Sequence, residues 1–264
     1  MIVHGQLVSV WDRVFTRPFR RYFSISLCTT CMGRLNDLVL TLPKNIADNS
    51  NYPYLQFVLL DYNSSDGVGK WVSENLMEHI DSGRLVYARA EEPQCFHMAH
   101  SRNVAFRLAS GEIVCNVDAD NWTGPGFAEA LNRVANEQDE RAIFAKSRQR
   151  IRGRIAFYKS EWEELLGGYD EDLHDYGYDD MDLMHRALLQ GFRLMPFGGE
   201  YVTRLQTSGS SRVENMKSKN WRQTEALNRA ISEEKISRGV LKSNQGRKWG
   251  SACLIKNFSE YISL

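Results

Sequence analysis

The chain of 264 residues carries no excess of either charge, 33 Lys and Arg standing against 33 Asp and Glu. A protein that grips nucleic acid through a general basic field needs surplus cations to neutralise phosphates, so that class is excluded. No stretch approaches the roughly 18 consecutive apolar residues of a membrane span. Met1 to Trp11 has neither a basic start nor a continuous apolar run, so no leader is expected there. These absences predict a soluble cytosolic protein, at most peripheral to a membrane. Repeats of solenoid period and low-complexity tracts are also missing. The five cysteines, Cys28, Cys31, Cys95, Cys115 and Cys253, are an odd number in a chain too long to need bridges. No second Cys or His pair follows Cys28-Thr-Thr-Cys31 at zinc-ribbon spacing, so small buried hydrophobes in a reducing compartment are expected.

What is present is an alternation of apolar strands and amphipathic helices. Tyr22 to Cys28, Tyr54 to Leu60, Arg84 to Ala88 and Glu112 to Val117 read as strands. Between them, Leu35 to Leu42, Val68 to Ile80 and Ser101 to Ala109 have helical spacing. This rhythm predicts an α/β domain with a mostly parallel sheet. Farther on, Ile143 to Ala145 and Ile155 to Tyr158 read as strands. Lys159 to Leu166 and Met181 to Gln190 read as helices, the second closed by Gly191 at C′. Arg204 to Lys219 is polar and aperiodic, a long loop or mobile lid that carries Arg204, Arg212, Lys217 and Lys219. Asn220 to Arg238 reads as a surface helix.

In parallel sheets ligands bind beyond the carboxyl ends of the strands. Three such ends here are polar: Thr29-Thr30-Cys31-Met32-Gly33-Arg34, Asp61-Tyr62-Asn63-Ser64-Ser65-Asp66-Gly67 and Asp118-Ala119-Asp120-Asn121. The same residue types are ordinary turn and cap residues, and only the three together point to a site. Asp118 and Asp120 at a strand end can reach one hard divalent cation, Mn2+ or Mg2+, which takes oxygen ligands and completes its shell with water and phosphate. Such an ion neutralises the diphosphate of a nucleotide sugar and makes it a leaving group. A second acidic cluster runs Gly167-Gly168-Tyr169-Asp170-Glu171-Asp172 and Tyr176-Gly177-Tyr178-Asp179-Asp180-Met181-Asp182. Carboxylates crowded at a helix start suit a base of tuned pKa, and equally suit the helix dipole. Trp122 and Trp162 could offer flat faces to acceptor sugar rings, or fill the core.

Five motifs in order and spacing resemble the inverting family-2 glycosyltransferases of the GT-A fold. They are the Thr-bearing first loop, Asp-Tyr-Asn-Ser-Ser-Asp-Gly, His100-Ser101-Arg102-Asn103, Gly111-Glu112-Ile113 before Asp118-Ala119-Asp120, and the Gly-Gly-aromatic-Asp-Glu cluster. That cluster is also similar to the β-1,4-galactosyltransferase-like motif. The resemblance spans about Tyr22 to Phe197. It implies a Rossmann-like, mostly parallel sheet flanked by helices, as a single domain over residues 22–203. A lead-in of residues 1–21 precedes it, and a lid loop with a C-terminal helical extension follows over residues 204–264. It implies a metal-dependent transfer of sugar from a UDP-sugar to a glycan or glycolipid hydroxyl. By position, Thr29, Thr30, Arg34, Asp61, Asn63, Asp66, Arg102, Asn103 and Asp118 match donor-nucleotide contacts, Asp61 facing the base. Asp120, with Asp118, matches the metal ligands, and Asp180 the base that deprotonates the acceptor. Tyr178 and Asp179 stand beside it as candidate acceptor contacts, Asp179 where the family has Glu. All six histidines precede the region that often supplies a further metal ligand. A nucleotidylyltransferase would want a more glycine-rich first loop. A non-catalytic nucleotide-sugar-binding relative would have lost Asp-x-Asp or the base.

Neutrality is itself a sum of opposites. Gly167 to Arg186 holds seven acidic residues and one basic, and Arg141 to Arg154 six basic and none acidic. The charge is sorted along the chain.

Overall fold

A computed structural model describes residues 21–138, 140–147, 153–206 and 213–264. The lead-in of residues 1–20, the connector cations Arg148, Arg150 and Arg152, and Arg212 of the expected lid lie outside the described residues.

The first strand, β1 (Ile25–Cys31), is buried on both faces and pairs in parallel with β2 (Leu55–Tyr62) and β4 (Ile113–Asn116). β2 in turn pairs in parallel with β3 (Leu85–Ala90). Doubly buried parallel strands read as continuous apolar runs, which is why these stretches stand out in the sequence. β6 (Ala142–Ala145), β7 (Ile155–Tyr158) and β8 (Arg193–Met195) extend one edge. β10 (Cys253–Lys256) and β11 (Glu260–Ser263) extend the other, giving the order β11-β10-β3-β2-β1-β4-β7-β6-β8. Among the described residues, seven of the nine strands run one way and only β7 and β10 oppose them. The expected helical extension therefore includes a β-hairpin that the alternation pattern does not announce.

Period-two burial splits the core between the two faces of the sheet. Phe57 and Leu59 of β2 join the cluster under helices α1 (Leu35–Asp48), α2 (Val68–Asn75), α3 (Met77–Asp81) and α5 (Phe127–Ala135). Val58 and Leu60 join the one under α4 (Met98–Leu108), α6 (Lys159–Glu164) and α7 (Asp179–Leu189). The single helix read over Val68 to Ile80 is two, broken at Leu76. α7 ends as expected, with Gly191 at φ +83° in the left-handed conformation that glycine adopts without strain.

The last helix, α8 (Trp221–Ser237), buries a polar stripe rather than an apolar one: Thr224, Asn228 and Ser232. Thr224 donates to the Tyr176 carbonyl at 3.1 Å, and Asn228 to those of His174 and Gly177 at 2.9 and 2.8 Å. Ser232 donates to Asp182 at 2.7 Å, and Lys235 to Asp170 and Asp172 at 2.7 and 2.5 Å. Residues at i, i+4 and i+8 lie on one helix face, so this stripe rivets α8 along the whole acidic loop before α7.

Behind that loop, Arg186 is buried and paired with Asp182 at 2.8 Å, and it donates to the carbonyls of Leu166 at 2.7 Å and Gly168 at 2.9 Å. Removing the cation leaves Asp182 buried with its charge uncompensated. Arg186→Ala is expected to lower folding stability by about 3–5 kcal/mol, measured as the shift in urea unfolding midpoint at constant slope.

Candidate active site

Because β1 and β4 are neighbours in parallel register, the turns after them leave the sheet side by side. A cleft of about 530 Å³ opens there, lined by Thr30, Arg34, Arg102, Asp118, Asp120, Asp179 and Asp180 among others. Tyr178 precedes α7 with φ +70°, after Gly177 at +94°. This left-handed turn delivers Asp179 and Asp180 as the first residues of the helix, where its positive end favours carboxylates.

One guanidinium organises the acids. Arg102, on α4 and only 2% exposed, donates from Nη2 to Asp118 Oδ1 at 2.9 Å. Its Nη1 reaches Asp180 Oδ1 at 3.0 Å and touches Asp179 Oδ2 more closely still. Burial opposes the charge on Arg102, but Asp179, Asp180 and Asp118 more than restore it, holding the group well above its ordinary range. Burial, and after it the charges of Asp179 and Asp118, lift the Asp180 carboxyl to about 7 against the pull of Arg102. Asp179 is raised as well, chiefly by burial. The two neighbours differ in reach: the Asp180 side chain is 17% exposed and that of Asp179 6%, so Asp180 faces the cleft. The Tyr169 hydroxyl donates to Asp180 at 3.3 Å. Asp120 is raised by burial and by Asp118, with Arg34 Nη2 at 3.7 Å opposing.

The residues expected at the nucleotide divide into two groups. Thr30, Arg34, Arg102 and Asp118 line the cleft. Thr29 is buried and donates to the Val117 carbonyl at 2.8 Å, tying β1 to the end of β4. Asp61, expected to face the base, is 0% exposed. Its oxygens accept from the Ser64 amide at 2.7 Å, the Tyr87 hydroxyl at 2.8 Å and Arg89 at 2.6 Å. Asn63 is held by Arg89 and by the Pro93 carbonyl, and Asp66 accepts the Leu35 amide at 2.7 Å. These three shape the second loop from behind the cleft, in the turn and cap roles their residue types also serve. Asn103 is fully buried and grips Tyr169 from both sides, accepting its amide at 2.8 Å and donating to its carbonyl at 2.9 Å.

Of the acceptor candidates, Tyr178 and Asp179 line the cleft. Trp162 does not: it is 0% exposed, packed between Phe106 and Trp249 with ring centroids 5.1 and 5.4 Å away. It is a core tryptophan and presents no face to a sugar. Trp122 lies outside the cleft lining, its indole donating to the Leu40 carbonyl at 3.3 Å. Of the lid cations, Arg204 reaches the cleft from β9 (Thr203–Arg204), which pairs with β5 (Asn121–Trp122) just after Asp120. Lys219 instead donates to the carbonyls of Val213, Glu214 and Met216.

Sequence reasoning missed several contributors. Gly153, at φ +68°, sits so close to Asp118 that an added Cβ would lie 1.8 Å from Oδ2. A glycine inside a basic connector was the only signal. Asn215 donates to the Met32 carbonyl at 2.5 Å and accepts the Phe96 amide at 2.7 Å through its own carbonyl, bridging two loops at the cleft edge. Tyr176, Trp221 and Glu225 also line the cleft. Nothing in the apolar pattern marks them.

Among the described residues no cluster of three or more His, Cys, Asp or Glu is set to hold a metal. The donor set is two carboxylates at one strand end, Asp118 and Asp120. Asp118 Oδ1 is engaged by Arg102 and by Asn116 at 2.9 Å, while Oδ2 makes no hydrogen bond among the described residues. That oxygen chemistry fits a hard divalent ion that draws its remaining ligands from phosphate and water.

A mostly parallel sheet with an acid-lined cleft at its carboxyl edge is the architecture of the GT-A glycosyltransferases, and solved structures of that class share the fold. A mannosyltransferase of Pyrobaculum calidifontis, PcManGT, solved with GDP-Man and Mn2+, matches with a TM-score of 0.63 at 20% identity, over 87% of this chain and 73% of that one. TarS of S. aureus (residues 1–349), solved with UDP, matches with a TM-score of 0.59 at 14% identity, over 85% and 74%. GalNAc-T7, solved with UDP, GalNAc and Mn2+, gives 0.56 at 14% identity, over 70% and 44%. None of the curated proteins compared matches the chain. The sequence pattern of glycosyl transferase family 2 matches residues 26–192, and the chain belongs to that family.

Arg102→Met should expose the dependence of the acids on their shared cation. Without it the folded-state pKa values of Asp179 and Asp180 rise further above the unfolded ones. The folded state then holds more protons across the window from about 4 upward, and stability falls as pH rises. The variant is expected to lose about 3–5 kcal/mol near neutrality and less at pH 5, measured by urea unfolding at both values.

Proposed function

We propose that the protein transfers a sugar from a nucleotide sugar to a hydroxyl of a glycan or glycolipid acceptor, with inversion at the anomeric carbon. The observation that carries this reading is the Arg102 cluster, in which one buried cation links Asp118 on the strand-end side of the cleft to Asp180 at the start of α7. An inverting transfer needs a leaving diphosphate on one side of the anomeric carbon and a base on the other. The cluster supplies a carboxylate to each.

Asp118 and Asp120 would hold a Mn2+ or Mg2+ ion, whose charge, when bound, stabilises the departing diphosphate. Thr30 and Arg34 line the same cleft, and Arg204 adds a cation from β9. Asp180 takes the acceptor proton. Its carboxyl near 7 makes it a far stronger base than an ordinary aspartate while still ionisable at neutral pH. Tyr169 and Arg102 aim it by binding one oxygen, Oδ1. A UDP-sugar is the first donor to try, as TarS was solved with UDP, and GDP-mannose the second, after PcManGT. With Asp61 enclosed, no carboxylate of the second loop lines the cleft to read the base.

A base must be ionised to act, so kcat/KM is expected to rise with pH through about 7. Asp180→Asn should lose about 10²-fold or more in kcat and lose that ascending limb. Release of nucleoside diphosphate across a donor panel reads both, and full activity in Asp180→Asn would sink the assignment. Asp120→Ala should abolish the Mn2+-dependent part of UDP binding in calorimetry, and unchanged affinity would refute the ligand role.

A further inference from the structure

The side of the cleft that carries Asp180 is aromatic. Tyr176 and Tyr178 precede the base, and Trp221 opens α8 with its ring centroid 6.2 Å from that of Tyr176, at 76°. Glu225, one turn further along α8, lines the same cleft and packs against Gly177, where an added Cβ would lie 3.1 Å from its own. Arg222 stacks 4.6 Å from the centre of the Trp221 ring and steadies it. The polar stripe of α8 fixes all of this to the loop that delivers Asp180. Trp221 and Glu225 lie beyond the residues that match the family, 26–192, so they belong to this chain's own C-terminal segment.

We propose that Tyr176 and Trp221 form the wall against which a pyranose ring of the acceptor packs, with Glu225 accepting from its hydroxyls, and that the acceptor is therefore a neutral glycan. The proposal rests on the glycosyltransferase reading and names its acceptor. A pyranose presents an apolar C–H face within a rim of hydroxyls, which an aromatic wall beside a carboxylate complements. A phosphate-bearing lipid acceptor packed on this wall would meet the carboxylate of Glu225, whose charge repels it. Fixing Trp221 to the base loop turns acceptor binding into alignment, because the ring that packs on the wall brings its hydroxyl to Asp180.

The test uses the full chain with Mn2+, the best nucleotide sugar of the donor panel, and three kinds of acceptor probe. These are 4-methylumbelliferyl β-glycosides of glucose, galactose, mannose and N-acetylglucosamine, a polyprenyl phosphate, and a Ser/Thr peptide. Release of nucleoside diphosphate above the acceptor-free rate reads transfer. The expected result is transfer to at least one glycoside. Trp221→Ala should raise the KM for that glycoside about tenfold with donor KM within twofold, and Trp221→Phe should restore most of the loss. Leu227→Ala, on the exposed face of the same helix, should leave both constants unchanged, and UDP calorimetry on each variant verifies its fold. An unchanged glycoside KM in Trp221→Ala, or transfer to the polyprenyl phosphate or peptide alone, overturns the proposal and leaves the glycosyltransferase reading standing. Absence of nucleoside diphosphate release from every donor in the wild type overturns both.

Discussion

Everything near the cleft is arranged around one buried guanidinium. Arg102 is the meeting point of a carboxylate from the end of β4 and two from the start of α7, elements far apart in sequence. Its planar fork can bond several oxygens at once, which an ammonium could not do in the same geometry. Burying that charge is costly, and the carboxylates offset the cost only because their positions are over-determined. Asn116 holds Asp118, the close approach of Gly153 fixes where it can lie, and Tyr169 holds Asp180. Asn103, the residue after Arg102, secures Tyr169 in turn. Three acids on one cation leave an excess of negative charge, and this excess follows burial in raising Asp180.

A second layer of constraint comes from beyond the family-matched residues. α8 contributes little apolar area and is fastened by its hydroxyl, amide and ammonium groups to the backbone and acids of the loop before α7. Arg247 and Asn244 brace the same loop through Asp172 and through the carbonyls of Gly167 and Tyr169. Trp249 packs on Trp162 beneath it. The β10–β11 hairpin anchors the segment by extending the sheet beyond β3. A loop rich in carboxylates repels itself, and these contacts hold it in one shape. The acidic stretch visible in the sequence is met in the structure by cations of the C-terminal segment, Lys235 and Arg247, set against acids of the loop.

The strand–helix alternation, the polar strand ends and the acidic helix start were legible because each is a local pattern. Doubly buried strands are largely apolar, polar loops follow them, and Gly191 closes α7 where a left-handed residue is needed. Asp118 and Asp120 stand out by their place at a strand end as well as by motif order, and Arg102 and Asp180 by the order of motifs the chain shares with the family. Whether a given side chain faces the cleft was not legible. Asp61 lies near the end of β2 and Asp118 just after β4, yet Tyr87 and Arg89 of the neighbouring strand enclose the first, while the second opens to the cleft. Trp162 and Trp221 are the same residue type, one sealed between Phe106 and Trp249 and the other lining the cleft beside Tyr176. Composition and spacing thus determined the fold class, the sheet edge that carries the site and the acids available to it. The tertiary structure alone decided which of those acids share a cation, which aromatic rings line the cleft and how the C-terminal segment closes the site. Burial and ion pairing depend on neighbours brought together from distant parts of the chain, and a local pattern holds no record of them.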